Sequence, residues 1–79
     1  MTLKVKYFAV LRERRGLAEE TVEVEPTTAG GFTAWILREH SLGLPPALVR
    51  LAMDGTFLAD DEPLRDGAEV VLIPPVAGG

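Results

Sequence analysis

A chain of 79 residues, 47% hydrophobic and free of cysteine, can build one domain around one small core, without disulfides or cysteine-bound metal. Its 12 acidic and 8 basic residues leave a formal charge of −4, which argues against nucleic acid as partner and suits a basic partner protein or simple solubility. No apolar run approaches the roughly 20 residues that span a bilayer, and Met1-Thr2-Leu3-Lys4 leads directly into an alternating pattern with no signal peptide, so the expected location is the cytoplasm.

Leu3 to Leu11 reads as a strand, with Leu3, Val5 and Tyr7 on one face and Lys4, Lys6 and Phe8 on the other. Arg12 to Gly16 is a charged turn with room for one turn of helix closed by Gly16. Arg12 lies near enough to the strand to touch a partner there. Glu20 to Glu25 alternates again, Val22 and Val24 pointing inward, and the first two strands form a hairpin. Pro26-Thr27-Thr28 announces a helix with either threonine as N-cap. Ala29, Phe32 and Ile36 share its inner face and Trp35 packs on its flank. Gly30-Gly31 predicts a weak or late start, since each glycine costs about 1 kcal/mol relative to alanine. Gly43 and Pro45-Pro46 end the helix.

Leu48 to Met53 is a third strand, with Val49, Leu51 and Met53 on one face. Asp54-Gly55 is a two-residue hairpin signal that pairs Met53 with Thr56 and Ala52 with Phe57, so Phe57 lands on the face away from the core. Asp60-Asp61-Glu62 belongs to a loop, and Asp66-Gly67 is a turn. Glu69 to Ile73 is almost wholly apolar, as a central strand is. A hairpin, a crossover helix and further strands describe an α+β fold of the β-grasp type, in which a mixed sheet carries one main helix on one face. Its first and last long strands pair in parallel at the centre. Phe8, Ile73 and Phe57 then fall on the uncovered face, an unusual apolar patch for a small protein.

The body lacks the parts of an enzyme. The single histidine, His40, sits near a helix end as a surface or capping residue, and Ser41 beside it makes no catalytic triad. The acidic cluster Asp60, Asp61 and Glu62 reads as a solvated loop, and the chain has no phosphate-binding loop. What chemistry the sequence offers lies in Pro74-Pro75-Val76-Ala77-Gly78-Gly79, read as an extended tail beyond a body of residues 1–73. The prolines stiffen its base, and Gly78 and Gly79 can thread a cleft that rejects any Cβ. Six extended residues reach roughly 20 Å. A terminal carboxylate is ionised at neutral pH, with a pKa of about 3.5, and resists nucleophiles until a partner enzyme activates it, for instance as an acyl adenylate. Sulfide would then give a thiocarboxylate, and an amine would give an amide.

The strand Val5-Lys6-Tyr7-Phe8-Ala9-Val10-Leu11-Arg12, the turn Asp54-Gly55, and above all Asp66-Gly67-Ala68-Glu69-Val70 running into Pro74-Pro75-Val76-Ala77-Gly78-Gly79 resemble the molybdopterin synthase small-subunit (MoaD) family over nearly the whole chain. The resemblance implies a ubiquitin-like β-grasp fold and a sulfur carrier that is no enzyme by itself. It implies a terminal Gly79 that an activating enzyme adenylates with ATP and a sulfur donor converts to thiocarboxylate, with Gly78 completing the threading pair. It further implies sulfur transfer to cyclic pyranopterin monophosphate on a large synthase subunit, and no stably bound cofactor or metal. Phe8, Phe57 and Ile73, with Pro74, Pro75, Val76 and Ala77, are the expected partner contacts. A thiamine-pathway sulfur carrier, a ubiquitin-like protein modifier and a plain interaction module remain as alternatives.

Overall fold

The computed structural model describes residues 1–76. In chain order it contains β1 (Thr2–Tyr7), α1 (Val10–Arg15), β2 (Glu19–Glu23), α2 (Ala29–Glu39), a 3₁₀ turn (Pro46–Leu48), β3 (Arg50–Met53), β4 (Thr56–Phe57) and β5 (Glu69–Ile73). The strands form one five-stranded sheet in the order β2-β1-β5-β3-β4. The β1–β5 pair is parallel and the other pairs are antiparallel, with Val5 opposite Val70 and Tyr7 opposite Leu72 at the centre. This is the expected β-grasp.

Alternation decides which face is covered. Leu3, Val5, Tyr7, Leu51, Val70 and Leu72 point to one side and are buried against Phe32, Ile36 and Leu37 of α2. Their neighbours Lys4, Lys6, Arg50, Val71 and Ile73 point to the other side, which no helix among the described residues covers. Burial on the α2 side is the main stabilising term, about 1.5–3 kcal/mol for each large apolar side chain fully removed from water.

Four local features differ from the sequence-based expectation. β1 stops at Tyr7 instead of running to Leu11, because Ala9 takes a positive φ of 50° and turns the chain into α1. Leu11 is therefore buried from a helix, an apolar run too short for periodicity to separate from strand. The third strand begins at Arg50, since Pro46–Leu48 form the 3₁₀ turn and leave Leu48 half exposed. The main helix ends at Glu39, with His40 as C-cap and Ser41 at φ 50°, ahead of the Gly43 and Pro45-Pro46 breakers.

The fourth difference is the start of α2, which is neither weak nor late. Thr28 is its N-cap and accepts from the Gly31 amide at 3.2 Å. Two further free amides are satisfied by the acidic loop: Ala29 N–H donates to the Glu62 carbonyl at 2.8 Å and Gly30 N–H to the Asp60 carbonyl at 2.9 Å. The loop comes this close because Gly30 lacks a side chain; a Cβ there would lie 2.9 Å from the Asp60 Cβ. The glycine that weakens the helix in isolation is what lets the loop cap it.

Candidate functional site: the open sheet face and the departing chain

The central strand β5 delivers the chain out of the fold. Ile73 is half-buried, Pro74 is buried, and Pro75 and Val76 are exposed, Val76 at 82%. Proline suits this exit, because neither residue has an amide that a further strand bond would use. Ala77, Gly78 and Gly79 lie outside the described residues.

The open face beside this exit is built by register. Ile73 is paired with Arg50, Val71 with Ala52, and Ala52 with Phe57, so these residues share one side of the sheet. Phe8 follows the Tyr7–Leu72 pair directly, at the same end of the sheet as Ile73, and is 60% exposed. Phe57 is 48% exposed. Phe8 and Phe57 flank β5 and β3, with three strand spacings, about 14 Å, between their backbones. The three apolar positions thus form a row with Ile73 in the middle, and Ile73 is the least exposed of them.

Sequence reasoning missed Arg50. Its guanidinium carbon lies 3.9 Å from the centroid of the Phe57 ring, a cation–π contact at the centre of the open face. The signal was available: once Asp54-Gly55 pairs Ala52 with Phe57, Arg50 is the same-face neighbour two residues back. Exposed pairs Lys6–Glu69 at 3.5 Å and Lys4–Glu19 at 3.7 Å border the row. Pairs of this kind contribute little to stability and leave the charges available to a partner. Arg12 is exposed on α1, the helix that follows Phe8.

A second polar cluster lies at the edge of the core and was not anticipated either. The Glu20 carboxylate accepts from the Tyr7 hydroxyl and from both Nε and Nη2 of Arg15, at 2.8 and 2.9 Å, with His40 Nε2 3.9 Å away. The Arg15 bonds, opposed by partial burial, hold the Glu20 carboxyl below its usual range. Burial, together with the bond to Glu20, pushes the Tyr7 phenol up. Glu20 bonds both Tyr7 and Arg15, so the cluster ties β1, α1 and β2 together, with His40 at the end of α2 beside it. Alternation with Val22 and Val24 places the Glu20 charge on the inner face, which pattern alone does not explain.

Among the described residues no group of three or more His, Asp or Glu side chains gathers to hold a metal ion, and no helix is long and apolar enough to cross a membrane. The row of apolar side chains and the exposed strand exit therefore form the candidate site.

Residues 5–79 match the ThiS family. The chain belongs to that family. It is also 35% identical over 88 aligned positions to the molybdopterin synthase sulfur carrier subunit of Chlamydomonas reinhardtii, with all of both chains covered. The Escherichia coli (strain K12) protein of the same name is 35% identical over 86 positions, covering 98% of this chain and 99% of its own. Among solved structures, SAMP1 from Haloferax volcanii superposes with a TM-score of 0.80 at 26% identity, with both chains fully covered. The family assignment and these likenesses agree with the ubiquitin-like β-grasp read from the sequence.

Proposed function

We propose that this ThiS-family chain is the sulfur-carrier subunit of a molybdopterin synthase. The observation that carries the reading is the end-to-end likeness to two proteins named for that role. The strand exit supports it: β5 delivers the chain past a buried Pro74 into exposed Pro75 and Val76, beside an apolar row suited to docking.

In this reading Gly79 carries the reacting carboxylate and Gly78 gives it a side-chain-free approach to a partner's cleft. Attack of the carboxylate oxygen on the α-phosphorus of ATP forms an acyl adenylate and releases pyrophosphate. Sulfide sulfur from a donor then attacks the acyl carbon, AMP leaves, and a thiocarboxylate results. The activating enzyme uses the ATP; the carrier holds no cofactor. A large synthase subunit next binds the loaded carrier through Phe8, Phe57, Ile73 and the stretch Pro74 to Ala77. The sulfur passes to cyclic pyranopterin monophosphate, and water returns the tail to carboxylate. Two loaded carriers supply the two sulfurs of the dithiolene. We place these steps in the cytoplasm on composition alone.

The match to the ThiS family leaves one second reading open, a thiamine-pathway carrier with the same tail chemistry and a different acceptor. Intact-mass measurement after incubation with ATP, an activating enzyme and a sulfur source tests both. Replacement of one oxygen by one sulfur is the expected result. Discharge by the pterin precursor with the large subunit supports the first reading, discharge only in a thiazole-forming system supports the second, and no sulfur loading refutes both.

A further inference from the structure

The edge strand β2 presents a groove that the tail chemistry does not use. It opens between the end of β2 and the first turns of α2, with a volume of about 330 Å³. Val24, Pro26, Phe32 and Trp35 form its apolar wall, and Glu23 and Glu25 stand at its rim. Trp35 is half-buried there, its ring 6.0 Å from that of Phe32.

The backbone beside the groove is open. Met1 and Val24 exchange both of their backbone bonds, which fixes the phase of the β1–β2 ladder. Antiparallel alternation then turns Val22 and Glu20 toward β1 and turns the amides and carbonyls of Glu19, Thr21 and Glu23 outward, away from the sheet. An outward ladder of this kind accepts another strand.

Charge selects which strand. Glu19, Glu23 and Glu25 line this edge, and Thr21 between them is neutral. A second copy pairing antiparallel through the same edge, centred on Thr21, would set Glu19 of each copy against Glu23 of the other, which is unfavourable. A strand carrying lysine or arginine would oppose them favourably, and an apolar side chain of that strand could fill the space over Trp35. We infer that the β2 edge and the Trp35 groove together dock an extended basic-apolar segment of a partner protein.

This surface is remote from the strand exit. Thr2 pairs with Glu23 at one end of β1, whereas Tyr7 pairs with Leu72 at the other end, where β5 leaves the fold. A partner on β2 therefore leaves the strand exit after Ile73 uncovered, and the inference does not depend on the sulfur-carrier reading.

The test is titration of the isotope-labelled full chain with a blocked hexapeptide of alternating lysine and valine, with alternating glutamate and valine as control. The expected result is saturable movement of the Thr21, Glu23 and Glu25 amide signals and of the Trp35 indole signal, with a matching change in Trp35 fluorescence. The double substitution Glu23→Lys and Glu25→Lys, both at exposed positions, should weaken binding about tenfold, as two reversed surface pairs would. Added salt should weaken binding to the unsubstituted chain. No saturable change, equal binding of the acidic control, or movement centred on Phe8 and Ile73 would overturn the inference. Concentration-dependent movement of the β2 amides without peptide would overturn it in favour of a second copy.

Discussion

Gly30 sits where a helix would ordinarily gain from alanine, and here it should lose. The propensity gain is about 1 kcal/mol. Against it, a new Cβ would lie 2.9 Å from the Asp60 Cβ and 3.1 Å from the Asp60 carbonyl oxygen, which is the group that caps the Gly30 amide. Backbone cannot rotate away as a side chain can, so Gly30→Ala displaces the loop and uncaps the helix. Overpacking typically costs about 1–3 kcal/mol, and the net expectation is a loss of up to about 2 kcal/mol in urea unfolding. Gly31 provides the control. Its added Cβ would meet the Thr27 hydroxyl at 2.6 Å, an obstruction that turning the threonine side chain can relieve. Gly31→Ala should be the milder of the two substitutions, and the opposite order would mean that the acidic loop does not hold the helix start.

At the scale of elements, the Glu20 cluster joins three of them. The Glu20 carboxyl is depressed when folded, so its contribution is present above its ordinary titration range and is lost as pH falls through the folded value. Glu20→Gln removes the charge that Arg15 and Tyr7 both use, and hydrogen bonds to a charged group contribute about 1.5–3 kcal/mol. The substituted chain should be less stable by about that amount at pH 7, and the difference should shrink as pH drops below about 4. Denaturant midpoints measured across that range check this, and a difference independent of pH would refute the charged role. The same elements show why the sequence was legible in some places and not in others. Asp54-Gly55 was readable because positive φ at both residues, 50° and 88°, is a local demand that those two residue types meet. The parallel β1–β5 pairing followed from the β-grasp order of elements and the nearly all-apolar last strand. The end of β1 was not readable, because Ala9 adopts a positive φ that nothing in its own chemistry requests. Gly30 was misread because it answers to a residue distant in sequence, Asp60, and the Glu20 cluster went unread for a like reason, since Glu20 answers to Tyr7 across the hairpin. For the candidate site, the apolar positions could be found from alternation and the hairpin register, whereas Arg50 over Phe57 needed the two combined.

At the scale of the whole molecule, the fold separates what holds it together from what it offers to other proteins. The core lies between α2 and one face of the sheet, while Phe8, at 60% exposure, contributes little to that core. Phe8→Ser should therefore leave the unfolding midpoint nearly unchanged, since substitutions at such positions shift stability by about 0.5 kcal/mol or less. Binding is a different matter. Covering a phenylalanine removes apolar area worth about 1.5–3 kcal/mol when burial is complete, and Phe8 has 60% of its surface left to cover, so the same substitution should weaken binding to a large synthase subunit about tenfold, measured by calorimetry. One residue appended after Gly79 should have the complementary effect: binding through the body persists, while sulfur loading and transfer fail because the reacting carboxylate has moved past the glycine pair. The two variants together separate docking from chemistry. If Phe8→Ser lowered stability and binding in proportion, the open face would be part of the scaffold; if the lengthened chain still carried sulfur, the reacting group would not be at Gly79.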